Sequence, residues 1–251
     1  MVVHSRYNVT NKKANLEKGV LKNKLGISDQ KELEDAETIL LSDSYEFFIS
    51  KLNKEKFIFD VKFLFSIHKY FLGTLYDFAG SAREVDISKG SMMFASVNHL
   101  NSSLKYLDEV IKENYPKAEN TKKEIAYKLA VIHNEYNAIH PFREGNGRTV
   151  RLFLDLLVLN LGYNMFDWTS KEKSFYIKAC ISGAIGNHKP MASFLFKRLN
   201  KNSMEHKNET KNCQNCKKDF TIEQDDFSFY EKIKVPPPTF CPECRYKRRI
   251  I

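Results

Sequence analysis

The stretch from His140 to Arg151 concentrates side chains that can do chemistry, and it reads His-Pro-Phe-Arg-Glu-Gly-Asn-Gly-Arg-Thr-Val-Arg. The imidazole of His140 could accept a proton near neutral pH, and the Glu144 carboxylate suits a hard cation such as Mg²⁺. Arg148 and Arg151 are three residues apart, so they share one face of a helical turn. Because guanidinium forks match phosphate oxygens, these residues predict a nucleoside-triphosphate site with its own base.

The same stretch specifies the backbone that would hold these groups. Pro141 disfavours helical geometry at His140, so an arriving helix should end there. Gly145 and Gly147 allow a tight turn and a close approach to a ligand. The next helix should start near Gly147, where free N–H groups and the positive end of the helix dipole favour a phosphate.

Apolar residues at helical spacing predict a mainly α chain. One predicted helix, Arg148–Leu161, is apolar nearly all round and should lie in the middle of a bundle, with Gly162 at its end. His68 and Cys180 are interpreted as core residues. The predicted helices are Ser28 (as N-cap) to about Leu41, Asp60 (as cap) to Gly73, Ser96–Asn114, Thr121 to the His140 stretch, Arg148–Leu161, Ser170–Ile185 and Pro190–Leu199.

A change of period between Arg83 and Phe94 predicts a short β-hairpin. Val85 and Ile87 alternate with polar residues, and Lys89-Gly90 supplies a turn. An ordinary connecting turn is the alternative interpretation of this segment.

Composition sets the broad class of the protein. The chain has 251 residues, 42% of them hydrophobic, and a formal net charge of +9. Such a charge suits anionic partners in general and selects none of them. The first twenty residues lack a signal-peptide core, and no uninterrupted apolar run reaches membrane-spanning length. We therefore expect a soluble, cytoplasmic protein with no membrane partner.

Four cysteines near the C-terminus are spaced as metal ligands. Cys213 and Cys216 form one C-x-x-C pair, Cys241 and Cys244 form a second, and 24 residues separate the pairs. This pattern predicts a four-thiolate Zn²⁺ site, with a redox dithiol pair as the alternative. So small and polar a segment would need the metal in order to fold.

The polar stretch before these cysteines is interpreted as a linker, which divides the chain into residues 1–200, 201–212 and 213–251. Few apolar contacts are then expected between the last segment and the helices. The basic residues Arg245, Lys247, Arg248 and Arg249 either neutralise the thiolate charge or contact nucleic acid.

The stretch from His140 to Arg151 resembles the Fic family signature H-P-F-x-[D/E]-G-N-G-R-x-x-R. The segment Val20–Gly26 resembles the segment that precedes the catalytic core in many bacterial Fic proteins, although a lysine-rich surface arm is the alternative. The tail is similar to zinc-ribbon modules of bacterial proteins. Every fixed position of the signature is present: His140, Pro141, Phe142, Glu144, Gly145, Asn146, Gly147, Arg148 and Arg151.

The resemblance implies a mainly α fold, a Fic-type helical bundle with a β-hairpin flap, followed by a small zinc ribbon. It implies transfer of AMP from ATP to a Tyr, Thr or Ser hydroxyl of a target protein, with release of pyrophosphate. The implied roles are a general base (His140), a Mg²⁺ ligand (Glu144), an anion hole (Gly145, Asn146, Gly147), phosphate-binding arginines (Arg148, Arg151) and a flap that pairs with the target backbone (Ile87, Ser88, Lys89, Gly90, Ser91).

The resemblance also bears on reaction type and regulation. A phosphotransferase relative has lysine where this chain has Gly147, which argues against that chemistry. Family inhibition uses a helix with [S/T]-x-x-x-E-[G/N], whose Glu pairs with the last signature arginine, here Arg151. Leu33 follows Ser28-x-x-x-Glu32, and Phe47 follows Ser42-x-x-x-Glu46, so neither segment completes this pattern. We therefore expect a toxin-like enzyme inhibited by a separate antitoxin.

A second function remains open on the sequence alone. The chain could be a zinc-ribbon protein that binds protein or nucleic acid, with the Fic core as a scaffold. The intact signature favours the enzyme.

Overall fold

The computed structural model describes residues 7–9, 16–17, 19–90, 92–168, 172–201, 208–223, 226–227, 229–230 and 235–250. The described part is mainly helical, as predicted, and no helix in it is long and apolar enough to cross a membrane. The helices are α1 (Gln30–Leu52), α2 (Val61–Leu72), α3 (Leu100–Glu113), α4 (Lys122–Ile139), α5 (Asn146–Asn160), α6 (Lys173–Ala184), α7 (Lys189–Arg198) and α8 (Pro242–Ile250). The strands are β1 (Asn8–Val9), β2 (Leu16–Glu17), β3 (Val20–Leu21), β4 (Ile87–Lys89), β5 (Met92–Met93), β6 (Glu209–Asn212) and β7 (Asp219–Ile222).

Helix α5 lies in the middle of the bundle, as its apolar sequence predicts. It packs against α1, α2 and α4, and its residues from Leu152 to Val158 are all buried. It begins at Asn146, two residues before the predicted start, because Gly145 adopts a left-handed conformation (φ 81°) at the N-cap. Gly162 (φ 75°) follows its end. A buried central helix gives the turn before it a rigid support.

The first helix is longer than predicted. It begins after Asp29, whose side chain accepts a hydrogen bond from the Glu32 N–H group, so the predicted N-cap at Ser28 is wrong. The predicted end near Leu41 is also wrong, because apolar residues keep helical spacing as far as Leu52. Ser44 interrupts the apolar face but is buried, and its hydroxyl donates to the Leu40 carbonyl oxygen at 2.6 Å.

The predicted β-hairpin is present as β4 and β5, with Ser88 opposite Met93 and Lys89 opposite Met92. A third strand, which the sequence did not predict, pairs with its other edge. Strand β1 lies antiparallel to β4, with Asn8 opposite Ser88. The sheet order is therefore β1-β4-β5, and the hairpin's free edge is covered by the chain's own N-terminal segment.

The segment around Val20 packs against the helices. Val20 and Leu21 are buried and belong to a cluster with Leu33, Leu72 and Tyr76. The alternative of a lysine-rich surface arm is therefore wrong at these positions. Residues 1–6 and 10–15 lie outside the described part of the chain.

The C-terminal part is called here the cysteine-rich tail (residues 208–250, as far as they are described). It starts with the β6–β7 hairpin, so the predicted linker is shorter than 201–212, and residues 202–207 lie outside the described part. Ile222, Phe229 and Tyr230 are buried in the same cluster as the helices. The expectation that few apolar contacts join the tail to the helices is therefore wrong.

Polar contacts also attach the cysteine-rich tail to α1. The Tyr230 hydroxyl donates to the Glu46 carboxylate at 2.8 Å, and the Arg245 guanidinium forms an ion pair with the same carboxylate. The rings of Phe229 and Tyr45 stack with centroids 5.1 Å apart. All of these partners lie on the part of α1 beyond its predicted end.

Candidate active site

His140 has a backbone conformation that Pro141, the next residue, does not by itself explain. It ends α4 in a left-handed conformation (φ 53°), and its N–H group donates to the Tyr136 carbonyl oxygen at 2.8 Å. Such a conformation is uncommon outside glycine and must be held by its surroundings. Arg83, which is buried, holds it by donating from Nε to the His140 carbonyl oxygen at 2.9 Å and from an amino group to the Val85 carbonyl oxygen at 2.8 Å. Sequence analysis missed Arg83, because nothing in the local pattern marks it as buried.

The imidazole of His140 is oriented by three neighbours. Phe94 stacks on it with ring centroids 3.8 Å apart. Nδ1 lies 3.0 Å from the Asn137 carbonyl oxygen, and Nε2 lies 2.9 Å from the Tyr7 hydroxyl oxygen. A carbonyl oxygen can only accept, so Nδ1 carries the proton and Nε2 has the free electron pair. Burial lowers the pKa of His140 to about 3, so this ring is neutral throughout the physiological pH range and its Nε2 electron pair is not occupied by a proton.

The turn after His140 is held by side chains of the signature itself. The Asn146 amide accepts from the Phe142 N–H group at 2.8 Å and donates to the Phe142 carbonyl oxygen at 2.7 Å. A Cβ atom at Gly145 would lie 2.7 Å from a methyl group of Leu72, so glycine is needed there for space as well as for conformation. The Asn146 side chain thus braces the turn, which leaves its main-chain N–H group for ligand binding.

His68 is buried, as predicted, and also positions Glu144. Its Nδ1 accepts from the Gly80 N–H group at 2.8 Å, so its Nε2–H donates to the Glu144 carbonyl oxygen at 2.9 Å. Its ring lies parallel to that of Phe142, with centroids 3.7 Å apart. Burial lowers the pKa of His68 to about 3 and keeps this hydrogen-bond pattern fixed.

The first turn of α5 presents main-chain donors. Within the described residues, the N–H groups of Asn146 and Gly147 have no hydrogen-bond acceptor, whereas those of Arg148 and Thr149 donate to the Gly145 carbonyl oxygen. A Cβ atom at Gly147 would meet nothing within 4 Å, so there is open space beside this residue. Such a turn can hold an anionic group.

The two signature arginines differ in their partners. Arg148 forms ion pairs with Glu37 at 2.6 Å and with Glu144 at 3.4 Å. Arg151 donates from Nε to the Gly147 carbonyl oxygen at 2.9 Å, and no carboxylate in the described part of the chain pairs with it. Of the two guanidinium groups, that of Arg151 is therefore the one open to a phosphate or to an incoming carboxylate.

Sequence analysis missed the role of Glu37. This carboxylate is buried on the apolar face of α1 and accepts from the Tyr76 hydroxyl at 2.6 Å as well as from Arg148. An acidic residue between Leu33 and Leu40 on a face of that kind is the signal that could have predicted a buried cationic partner.

The flap residues lie beside the imidazole. Ile87 is buried, Lys89 is exposed, and Gly90 adopts a left-handed conformation (φ 60°) at the turn. Ser91 lies outside the described residues. Phe94, which follows the hairpin, stacks on the His140 ring, and Arg83, which precedes it, donates to the His140 carbonyl oxygen.

The four cysteines of the tail come together, as their spacing predicts. The sulfur atoms of Cys213, Cys216, Cys241 and Cys244 all lie within 4.8 Å of one another. None of them forms a disulfide. This group of four thiols can hold a metal ion. Arg245 pairs with Glu46, so its guanidinium neutralises a carboxylate of α1.

Comparisons with known proteins agree with this geometry. The protein adenylyltransferase VbhT of Bartonella schoenbuchensis is 32% identical over 184 residues, which are 73% of this chain and 38% of that protein. The probable protein adenylyltransferase Fic of Escherichia coli K12 is 28% identical over 171 residues, 67% of this chain and 82% of that one. The chain therefore spans well under half of VbhT and most of the Escherichia coli protein.

Solved structures share the fold. The crystal structure of BepC from Bartonella tribocorum, a VirB-translocated effector with bound AMPPNP, is 25% identical, with a TM-score of 0.62. The match covers 75% of this chain and 97% of that one. A model of the Fic/DOC family matches residues 58–158, which run from the start of α2 through the turn to α5. Together with the intact signature and its geometry, these findings show that the chain contains a Fic/DOC family domain.

Proposed function

We propose that this protein transfers AMP from ATP to a hydroxyl group of a target protein and releases pyrophosphate. The observation that carries the proposal is the state of His140. Its Nε2 has a free electron pair and lies 2.9 Å from a hydroxyl oxygen, which is the geometry of a general base with its acceptor. The relatives named protein adenylyltransferase and the AMPPNP bound by BepC support the same chemistry.

Each residue of the site has a separate role in the proposed reaction. His140 takes the proton of the acceptor hydroxyl, so that the oxygen can attack the α-phosphorus of ATP. The N–H groups of Asn146 and Gly147 bind phosphate oxygens, and the Arg151 guanidinium binds the outer phosphates. Arg148, which is paired with Glu37 and Glu144, fixes the carboxylate and the start of α5. Positioning and charge stabilisation supply most of the acceleration in phosphoryl chemistry of this kind.

The site fits Mg²⁺ through Glu144. The carboxylate lies on the turn next to the open N–H groups, and the Gly145 N–H group donates to its Oε1 at 3.0 Å. Mg²⁺ is usually held by one or two carboxylates together with substrate phosphates and water. When bound, the ion would neutralise phosphate charge, and Glu144 is the residue of this chain that would hold it.

The cysteine cluster fits Zn²⁺. A tetrahedral site with Zn–S bonds of about 2.3 Å places its sulfur atoms about 3.8 Å apart. The Cys216 and Cys241 sulfur atoms are 3.6 Å apart, close to this spacing. We assign a structural role to the metal, because the cysteine-rich tail presents no catalytic group to His140 and contacts α1 instead.

Control by a separate antitoxin-like protein also belongs to the proposal. Arg151 has no carboxylate partner in the described residues, so a glutamate from another protein could pair with it and exclude the outer phosphates. Glu37 does not do this, because it pairs with Arg148. The toxin-like role rests on this one open position.

The direct test is labelling of proteins in a cell lysate by purified protein, labelled ATP and Mg²⁺. Loss of a positioned base typically costs about 10²–10⁴ in rate, so His140→Ala should abolish most labelling while ATP still binds by calorimetry. His99→Ala, at an exposed histidine, is the matched control and should label at the wild-type rate. Equal labelling by His140→Ala and the wild type would refute the assigned mechanism.

Replacing each of the two signature arginines by alanine tests the roles assigned to them. Arg151→Ala should weaken ATP binding, because it removes the open guanidinium. Arg148→Ala should mainly destabilise the fold, because it leaves Glu37 buried without its cation. If Arg148→Ala folds normally and alone loses ATP binding, the roles assigned to the two arginines are wrong.

A further inference from the structure

One hydroxyl of this chain already occupies the position of an acceptor. Tyr7 is buried, and its hydroxyl oxygen is the group 2.9 Å from His140 Nε2. The proton of Nδ1 is committed to the Asn137 carbonyl oxygen, so the Tyr7 hydroxyl donates to Nε2. The phenolic proton therefore points at the one nitrogen able to accept it.

The backbone next to Tyr7 is held as a bound peptide would be held. Asn8 and Val9 follow it directly and pair antiparallel with Ser88 and Ile87 of the flap strand β4. Addition of an extended strand to an exposed sheet edge is a general mode of peptide recognition, in which the main chain gives affinity and one side chain enters a site. Here the added strand is β1, and the side chain that enters is Tyr7.

The ring of Tyr7 is positioned as well as its hydroxyl. It meets the His140 ring edge-on at 5.2 Å and the Phe94 ring edge-on at 6.0 Å between centroids. The Lys89 ammonium lies 5.8 Å from the centre of the Tyr7 ring. A phenylalanine would make the same ring contacts, so the hydroxyl is the part of Tyr7 that packing alone does not require.

From this geometry we infer that Tyr7 is an acceptor for the chain's own adenylyl transfer, so that the protein modifies its N-terminal segment within one molecule. The inference rests on the proposed function. The Tyr7 oxygen forms a bond to the α-phosphorus of ATP, and the bond from that phosphorus to the bridging oxygen breaks. Pyrophosphate leaves with the bonding electrons, and His140 Nε2 takes the phenolic proton. The product is a tyrosine with an AMP group in phosphodiester linkage.

An intramolecular acceptor has a kinetic signature. Reaction within one molecule proceeds at a rate independent of protein concentration, because the acceptor is held beside the base. Reaction between molecules would favour accessible tyrosines. Tyr246 is 50% exposed and Tyr127 is 46% exposed, whereas Tyr7 is 7% exposed. Modification of Tyr7 ahead of these two would follow from its position and not from its exposure.

The test uses the full chain with ATP and Mg²⁺, followed by peptide mapping by mass spectrometry, beside labelling of a cell lysate by the same preparation. We expect an AMP adduct on Tyr7 of the wild type, formed at an unchanged fractional rate when protein concentration is raised about tenfold. Tyr7→Phe should lose this adduct, and Tyr246→Phe, the matched control, should keep it. Val9→Pro keeps the Tyr7 hydroxyl but disturbs the β1–β4 pairing, so its adduct on Tyr7 should form more slowly.

The outcomes separate the two proposals. An adduct on Tyr7 with these properties supports the inference. Labelled lysate proteins together with an unmodified Tyr7, or with adducts on the exposed tyrosines only, would overturn it and leave the proposed function standing. Absence of label on every protein, this chain included, would overturn both.

Discussion

The N-terminal segment and the cysteine-rich tail lie against the same helical core, but they contact it in different ways. In its described residues, the N-terminal segment reaches the reacting group through the pairing of β1 with the flap, the buried Tyr7 ring and the hydrogen bond from Tyr7 to His140. The tail buries Phe229 and Tyr230 among the core side chains and adds an ion pair to Glu46. The contact of the N-terminal segment is small and lies at the active site. The contact of the tail is extensive and lies at α1, away from the active site.

This difference indicates that a target peptide can replace the N-terminal segment, whereas the tail is a structural part of the fold. Displacing β1 breaks its pairing with β4 and the Tyr7 hydrogen bond, each hydrogen bond being worth about 0.5–1.5 kcal/mol net, and uncovers the Tyr7 ring. A target peptide with a tyrosine that pairs with the same edge would restore these contacts, so the net cost of the exchange is small. Displacing the tail would expose buried aromatic rings and leave charged groups of a partly buried pair without partners, which costs several times more. The N-terminal contact therefore suits a substrate-like role, and the tail contact suits a support of α1.

Removal of the proposed zinc ion is expected to have the largest effect, and it acts first on the tail. Zinc sites of small modules contribute about 10 kcal/mol or more to folding, so a chelator, or Cys241→Ser, should unfold the tail. Because Ile222, Phe229 and Tyr230 also cover the core, the melting temperature of the helices should fall, while labelling well below that temperature should persist. Zinc analysis and circular dichroism melting would measure both.

Cys180 provides the control for that experiment. It lies on α6, away from the cluster, so Cys180→Ser should retain the zinc content of the wild type. A melting curve unaffected by the chelator would show that the tail neither needs metal nor supports the core.

Mild acid is expected to lower the free energy of unfolding through three buried histidines. His68, His133 and His140 have pKa values lowered by burial to about 3, 4 and 3. The unfolded chain takes up these protons below a pH of about 6.5 and the folded chain does not, so the free energy of unfolding falls as pH falls from there. Each histidine contributes a loss of up to about 1.4 kcal/mol per pH unit.

Urea unfolding between pH 7.5 and about 5.5 would measure this slope. His68→Asn should reduce it by one proton relative to the wild type, and His99→Gln, at an exposed position, should leave it unchanged. The comparison of slopes cancels any contribution from the cysteines. Identical slopes in His68→Asn and the wild type would mean that His68 is protonated in the folded chain.

The sequence predicted the parts of this site that depend on local pattern. The turn at Gly145, the central helix α5, the hairpin and the cysteine pairs all follow from spacing and residue type within short windows. The sequence did not predict the contacts that join distant segments, such as Arg83 to the His140 carbonyl, Glu37 to Arg148 or Tyr7 to His140. These pairs are separated by many residues, and no periodicity encodes which polar groups meet across a core.

The end of α1 illustrates the same limit. The predicted helix ended near Leu41, and the polar residues Ser42, Asp43 and Ser44 follow that position. The helix continues because Phe48 and Ile49 are buried by other helices and because the cysteine-rich tail covers Tyr45 and Glu46. Tertiary packing outweighs local propensity here.

Weakening the contact between the tail and α1 should have an intermediate effect. Glu46→Gln removes the charge that pairs with Arg245 and leaves this guanidinium partly buried, so we expect a loss of about 1–3 kcal/mol in the free energy of unfolding. The effect on labelling should be small, because the partners of Glu46 in the described part of the chain are Tyr230 and Arg245, which lie in the tail. Urea unfolding monitored by circular dichroism would measure the loss.

The exposed pair of Lys51 and Glu55, at the C-terminal end of the same helix and just beyond it, supplies the control. Glu55→Gln should cost less than about 0.5 kcal/mol, because exposed pairs contribute little. Equal costs for Glu46→Gln and Glu55→Gln would show that the tail is not anchored through this carboxylate.

The smallest effect on stability is expected from a substitution at Tyr7. This substitution tests whether the N-terminal segment is held weakly enough for a target peptide to displace it. Tyr7→Phe keeps the ring against Phe94 and removes the hydroxyl that donates to His140, so the free energy of unfolding should fall by about 0.5–1.5 kcal/mol. Tyr127→Phe, at a tyrosine 46% exposed on α4, should change it less, because water replaces the partner of an exposed hydroxyl. Urea unfolding of both variants would give the two values under one set of conditions. A loss at Tyr7 above about 3 kcal/mol would exceed what a single neutral hydrogen bond contributes. In that case the Tyr7 hydroxyl would be a brace of the fold, the N-terminal segment would resemble the tail in being structural, and displacement of β1 by a target peptide would cost too much to accompany each turnover.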